Sequence, residues 1–456
     1  MWCPNLNGAL KTVLYAWAGL LLGVLIVPRA DFASDGSNTS VFCHCVSSGE
    51  SLNKIAQHYL SLTDAITLGE LVRKIRQLNG IQGSVIYPDQ RLLIPLAESS
   101  PVKATRAPKK PDYEVRGIYM NRYSMACEKM TRLLNRLLSS GGNTVVLDGK
   151  DMTGRLSYPS RVVLANEIGA TANPVIGNLP RLFNHLHQRG LHVCVRLVLF
   201  YDPLLAAKKP ELALNPIRPD DQQQEATKTV WVNPGHSIVQ EYNLDIAREL
   251  AEMGVDEIQF DYVRFPTFST VVDGECHQGQ PALTRHNVIT NFLAQARTAL
   301  APYEVLLSLD VFGIIAWGRL EDMEMTGQKI RDLAEQCDVI CPMIYPSHFH
   351  KPFQTIADPG TEPFLMVSET CRRFDSLLKD SKTRLRPWIQ AFPYGVENFS
   401  EQYILEQLRA VDQPSSRGWM LWSAGNAYDV AWKALSQLNN ERLDTKTASA
   451  KFLLYY

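Results

Sequence analysis

Gly254–Pro266, GVDEIQFDYVRFP, is the stretch on which the reading of this chain turns. Ile258, Phe260 and Tyr262 alternate with Gln259, Asp261 and Val263, the period of two expected of a β-strand. One face is apolar, as packing against helices requires, and the other carries a carboxylate near its end. Pro266 has no backbone donor, so the ladder is expected to stop about there. An aspartate buried in such a strand is costly unless it is paired or used. The plain readings are a cap for the next helix or an ion pair with Arg264. At the C-terminal end of a parallel-barrel strand, the same aspartate stands where such barrels do chemistry.

From Tyr113 onward, strand-like and helix-like stretches alternate, the pattern of a parallel sheet with crossover helices. Eight strands are predicted: Val115–Met120, Thr144–Asp148, His192–Leu199, Glu257–Tyr262, Val305–Val311, Val339–Tyr345, Trp388–Phe392 and Trp419–Ser423. Between them lie amphipathic stretches such as Cys127–Leu138, Leu179–Arg189, Ile238–Met253, Val288–Leu300 and Gln328–Cys337. This predicts an α/β fold, a (β/α)8 TIM barrel over residues 113–440, with a tail over 441–456. No glycine-rich phosphate loop follows the first strand, which argues against an open doubly wound sheet.

Strand parity sorts the candidate site residues, because outward positions must pack on helices. Inward positions are Tyr119 and Asn121 on the first strand, and Val146 and Asp148 on the second, with Lys150 and Asp151 beyond. The third strand gives Cys194, Arg196 and Val198, the fourth Gln259 and Asp261, and the fifth Ser308 and Asp310. Met343 and Tyr345, Gln390, and Trp422 come from the last three. Asp148, Asp261 and Asp310 are therefore expected to converge at the C-terminal rim beside Arg196. Two carboxyls that cannot both ionise cheaply in one apolar cleft take different pKa values, the division that glycoside hydrolysis requires. Asp261 is the expected nucleophile or base and Asp310 the expected acid. Their adjacent strands favour retention over inversion.

The expected substrate contacts are Asp148, Lys150, Arg196, Asn121, Gln259, Arg264, His348 and Gln390, with Tyr119, Tyr345 and Trp422 stacking on sugar faces. The bland reading is that these rings are barrel core and that Arg196 simply neutralises one aspartate. His348 and His350 follow Tyr345, but no two-histidine-plus-carboxylate spacing is present, so neither a metal nor a cofactor is expected.

The remaining features bound the class. A chain of 456 residues predicts two or three domains, and a net charge of −1 argues against nucleic acid as a partner. Lys11 precedes an uncharged run, Thr12–Pro28 (TVLYAWAGLLLGVLIVP), intermediate between a signal-peptide core and a membrane span. Residues 1–40 are thus expected to be an export signal or membrane anchor with a polar spacer. The expected location is the periplasm or cell envelope. Of nine cysteines, Cys43-x-Cys45 and Cys337-x3-Cys341 lack zinc spacing, and no disulfide pairing can be read. Cys194 and Cys341 sit in apolar strands and read as core.

Residues 41–96 follow a strand–helix–helix–strand order. VSSGESLNKIAQHY, RQLNGI and IYPDQRLLIP carry it, and the unit resembles the LysM module. That resemblance implies binding of peptidoglycan or another N-acetylglucosamine-containing glycan. The segment Leu60–Leu68 between the helices is longer than usual in that family and borders its usual binding groove. Residues 97–112 (AESSPVKATRAPKKPD) read as a semi-rigid linker.

The barrel region resembles a bacterial family of glycosyl hydrolase-type TIM-barrel domains. VRGIYMNRYS, NTVVLDGKDMTGRLSYPS, WVNPGHSIVQEYNLDIARELAEMGVDEIQFDYVRFP, LSLDVFG and VICPMIYPSHF carry the likeness. It puts Asp261 and Asp310 at the matching acidic positions, with Asp148 and Tyr345 beside them. One departure from many retaining glycosidases is the lack of a Glu at the ends of strands four and five. The expected function is hydrolysis of an envelope or extracellular polysaccharide by a chain held to peptidoglycan. The alternatives are a non-catalytic glycan-binding scaffold and a metal-dependent deacetylase.

Overall fold

The computed structural model describes residues 39–97, 113–214, 230–267, 284–411 and 416–453. The apolar run Thr12–Pro28 and residues 98–112 of the expected linker lie outside them. No helix among the described residues is long and apolar enough to cross a membrane.

In the N-terminal unit, β1 (Thr39–Cys45) pairs antiparallel with β2 (Arg91–Ala97), and helices Leu52–Tyr59 and Leu68–Leu78 lie between them in sequence. Ser51 caps the first helix by accepting from the Lys54 backbone N–H, and Thr67 caps the second through Glu70 N–H. Ile55, Ala56, Leu71, Ile75, Leu92 and Ile94 fill its core.

The barrel strands are β3 (Val115–Met120), β4 (Thr144–Lys150), β5 (His192–Val198), β6 (Glu257–Asp261), β7 (Leu306–Phe312) and β8 (Val339–Ile344). β9 (Arg384–Leu385), β10 (Trp388–Gln390) and β11 (Gly418–Trp422) complete it. Arg386 and Pro387 break what is in effect one strand into β9 and β10. The sheet runs β10-β11-β3-β4-β5-β6-β7-β8-β9, and β10 also pairs with β8, so the parallel barrel closes. Parity reads correctly on β5: Val193, Val195 and Leu197 join the outer apolar layer, while Cys194 faces the lumen with Val146, Cys341, Trp388 and Met420. The seven cysteines among the described residues are free.

Two local breaks correct the expected parity. On β4 the register shifts between Asp148 and Lys150, so Asp148 lies opposite Arg196 but Lys150 lies opposite Leu197, an outward residue. The bulge turns Lys150 out of the lumen. On β6 the strand ends at Asp261, and Tyr262 takes a left-handed backbone with φ 52°, so it does not continue the outward apolar face. Farther along, the helix Asp429–Leu453 runs without interruption through the expected 440/441 boundary.

The N-terminal unit is docked on the barrel through its long inter-helix segment. Thr67 and Ile176 form an antiparallel bridge: Leu68 N–H donates to Val175 O at 3.0 Å and Gly177 N–H to Ile66 O at 2.9 Å. Gly69 N–H donates to Ala126 O at 2.7 Å, and the Gln57 amide and Arg181 guanidinium donate to Pro174 O and Asp64 O. Ile66 packs against the barrel's apolar layer. A Cβ at Gly69 would meet Ala126 O at 2.7 Å, so only glycine allows this approach. Ala126 and the 173–181 segment follow β3 and β4, so the unit sits at the C-terminal side of the barrel.

Candidate active site

Arg196 is the hub of the site. Its Nη1 donates to Asp148 Oδ1 at 2.8 Å, while Nε and Nη2 reach Asp261 Oδ2 at 2.9 and 2.6 Å. β5 lies between β4 and β6, so one guanidinium on the middle strand spans the carboxylates of both neighbours. Tyr119 O–H closes the second oxygen of Asp148 at 2.6 Å, and Tyr262 N–H donates to Asp261 Oδ1 at 2.7 Å. Arg196 therefore pairs with two aspartates, and Asp261 is not paired with Arg264.

Asp310 is held differently. It is sealed in the lumen on β7, one strand from Asp261 and two from Arg196. Burial and the charge of Asp261 push its carboxyl well above the ordinary range, while Arg196 and a bond from Trp388 Nε1–H at 2.7 Å pull the other way and lose. Burial also raises the Asp148 carboxyl, against the opposing pull of Arg196 and Tyr119. The site thus sets a carboxyl biased toward its neutral form by burial beside a guanidinium-bound aspartate.

The aromatic candidates divide. Tyr119 stacks on Trp422 with ring centroids 4.1 Å apart, and Arg196 lies over both rings, so these rings hold the guanidinium. Tyr345 is buried with the lumen residues, where burial and then the charges of Asp310 and Asp261 raise its phenol. His348 is exposed beyond it, in ring contact with Tyr345, Phe392 and Tyr394.

Several expected contacts lie elsewhere. Lys150 is sealed in the helix layer, where Nζ bonds Asp202 Oδ2 at 3.0 Å and Asn243 Oδ1 at 2.7 Å. Asn121 caps the short helix Arg122–Met125, accepting from Ser124 N–H, and donates to Ala424 O. Gln390 is buried, with Nε2 donating to Phe392 O and Tyr394 O, and so braces the loop after β10. Gln259 lies sealed in the lumen beside the Cys341 thiol. Arg264, by contrast, stays beside the site, near Asp261, with Phe312, Trp231 and Tyr262 flanking its guanidinium.

Sequence reasoning missed Trp388 as the partner of Asp310, although its inward parity on β10 could have shown it. It also missed a cluster of Tyr201, Trp231 and Tyr262, whose centroids are 5.2–5.8 Å apart. A bridge between Tyr201 and Trp231, thirty positions apart, assembles that cluster, and no local pattern announces it. Among the described residues no group of three or more His, Cys, Asp or Glu is placed to hold a metal ion.

A closed parallel barrel with acids gathered at the C-terminal ends of its strands belongs to the architecture of glycoside-hydrolase barrels. Residues 117–428, more than half of the chain, match the family described as "Putative glycosyl hydrolase domain", and the chain belongs to that family. Residues 44–95 match the LysM domain. Among solved structures, the PgaB (BpsB) glycoside hydrolase domain from Bordetella bronchiseptica aligns at TM-score 0.51 and 13% identity, over 71% of this chain and 98% of that one. A beta-galactosidase from the psychrophilic Marinomonas ef1 aligns at TM-score 0.51 and 10% identity, over 73% and 60%. These two share the barrel fold. A hypothetical protein from Ruminiclostridium thermocellum is 32% identical over 42% of this chain and 97% of that one, at TM-score 0.36. No curated protein matches the chain.

Proposed function

We propose that the barrel hydrolyses glycosidic bonds in a cell-envelope or extracellular polysaccharide, with Asp310 as general acid and Asp261 as nucleophile or base. The observation that carries this reading is the contrast between the two carboxyls. Asp310 is pushed toward its protonated form by burial and by Asp261, and among the described residues only one of its oxygens is occupied, by Trp388. A protonated acid with its second oxygen open can donate to a leaving-group oxygen. Asp261 is fixed by Arg196 through Oδ2, which leaves Oδ1, with its single backbone bond, to meet an anomeric carbon or a water. Asp148, Tyr119 and Trp422 act through Arg196, by holding its plane. The LysM domain would grip an N-acetylglucosamine-containing glycan, and the chain would work outside the cytoplasm, with residues 1–40 as its export signal or anchor.

Incubating the full chain with purified peptidoglycan and with extracted exopolysaccharides, and measuring new reducing ends, tests this. Release from one substrate, lost in both Asp310→Asn and Asp261→Asn, is the expected result. A second reading, a glycan-binding scaffold, is favoured by the hydrogen bonds that occupy both oxygens of Asp148 and of Asp261. It predicts equal glycan retention by all three proteins and no release by any.

A further inference from the structure

Three residues past Asp261 stands a cation that the Arg196 network does not use. Arg264 keeps only 9% of its surface exposed, yet no carboxylate pairs with it among the described residues. The other well-buried arginines each have one: Arg196 has Asp148 and Asp261, Arg386 has Glu257, and Arg122 has Asp151. Taking a charge out of water without a counterion is unfavourable, and folded chains normally supply the counterion themselves.

Arg264 instead has rings. Its guanidinium carbon lies 4.4 Å from the Phe312 centroid, 4.8 Å from Trp231 and 5.2 Å from Tyr262. Ring quadrupoles attract a cation but do not accept its N–H donors in plane, and the acid whose charge acts on Arg264, Asp261, is already bonded to Arg196. Nη1 donates to the neighbouring Phe265 O at 2.9 Å, and the guanidinium makes no other hydrogen bond among the described residues. Burial lowers its pKa, but a guanidinium remains charged at any working pH.

Position adds to chemistry. Tyr262 bonds Asp261 through its backbone and encloses Arg264 with its ring, so the cation adjoins the aspartate proposed to react. Tyr201 and the buried Trp231 extend the same ring cluster, and Tyr201 and Tyr262 are its half-buried members.

We propose that Arg264 is the recognition site for a carboxylate substituent on the substrate, so that the glycan this barrel acts on is acidic. A carboxylate brought by the sugar would supply the paired counterion that the described residues do not, and a planar guanidinium binds that group through two parallel hydrogen bonds. The carboxylate can come from a uronic acid or from the lactyl ether of a muramic acid. The inference rests on the glycosidase reading for where the sugar lies.

The test is calorimetric binding to the full chain carrying Asp310→Asn, which blocks turnover. The probes are a neutral N-acetylglucosamine tetrasaccharide, a hyaluronan tetrasaccharide, and a peptide-free N-acetylglucosamine–N-acetylmuramic acid tetrasaccharide. The LysM domain is present throughout, so the quantity read is the change made by a second substitution. Arg264→Gln should weaken one acidic probe at least tenfold and the neutral probe less than twofold, and the acidic probe affected names the carboxylate's source. Arg264→Lys, which keeps the charge and loses the fork, should fall between. Equal weakening of all three probes, or no weakening of either acidic one, overturns the proposal. Reducing ends released by the unmodified chain from the neutral glycan as fast as from the acidic ones would also refute it and leave the glycosidase reading standing. Selective acidic binding without hydrolysis would do the reverse.

Discussion

The indole N–H of Trp388 donates to Asp310 Oδ1 at 2.7 Å, joining two side chains that are both sealed from solvent. That bond favours the carboxylate, while burial and the charge of Asp261 favour the acid and prevail. Trp388→Phe removes the donor and keeps an aromatic ring in the lumen. The Asp310 pKa should then rise further. If Asp310 is the acid, activity is lost where it deprotonates, so the basic limb of the kcat/KM profile should move to higher pH. An unmoved limb with activity retained would rule Asp310 out as the acid.

At the barrel floor, Arg386 Nη1 reaches both oxygens of Glu257 at 2.8 Å, and His192 adds a third contact at 3.0 Å. Burial alone would raise the Glu257 carboxyl, but Arg386 and His192 more than reverse it and hold it well below the ordinary range. An acid whose folded pKa is depressed adds stability above its unfolded pKa and loses it as pH falls toward the folded value. Arg386→Met strands the buried carboxylate and should cost about 3–5 kcal/mol at pH 7. The penalty should shrink below about pH 4, where the unfolded glutamate is itself protonated. Urea denaturation of both proteins at the two pH values measures this.

Lys150→Met should separate stability from substrate handling. Nζ faces Asp202 and Asn243 in the helix layer, so the variant leaves Asp202 buried without its cation. A loss of about 3–5 kcal/mol is expected. KM of the remaining folded enzyme should stay within about twofold, because no Lys150 atom enters the lumen. A large rise in KM at full stability would put Lys150 back among the substrate contacts.

Gly177→Val addresses the docked LysM unit. A Cβ at Gly177 meets Leu60 O at 2.9 Å and Ala65 O at 3.0 Å, and valine adds two methyls to that clash. Amide hydrogen exchange at Leu68, Gly69 and Gly177 should accelerate, with the β5 amides unchanged. Exchange rates equal to those of the unmodified chain would mean that the interface tolerates the bulk.

The sequence was most legible where the strand period ran unbroken. Val193–Leu197 alternates cleanly, so Arg196 and its lumen-facing neighbours could be placed by counting. Counting failed at Lys150, because a bulge adds a residue without changing composition. It failed at Tyr262 because a left-handed residue can end a strand inside an apolar alternation. Asn121 and Gln390 are polar residues near strand ends whose side chains serve the backbone, and type and position alone do not separate that role from a substrate contact. The ring cluster around Arg264 needed long-range pairing of Tyr201 with Trp231, which is a property of the folded chain.

The docked Leu60–Leu68 segment changes how a LysM unit and a barrel of this family would meet a glycan together. Modules joined by a free tether meet a polymer at an effective concentration set by the tether's length. Here a backbone bridge between Thr67 and Ile176 fixes the separation, so the stretch between the domains drops out of that relation. The pair would work as a caliper: whatever sugar the LysM unit grips, the bond offered to the barrel lies a set number of residues along the same strand. Products of one preferred length, unchanged when residues 98–112 are lengthened, would be its signature.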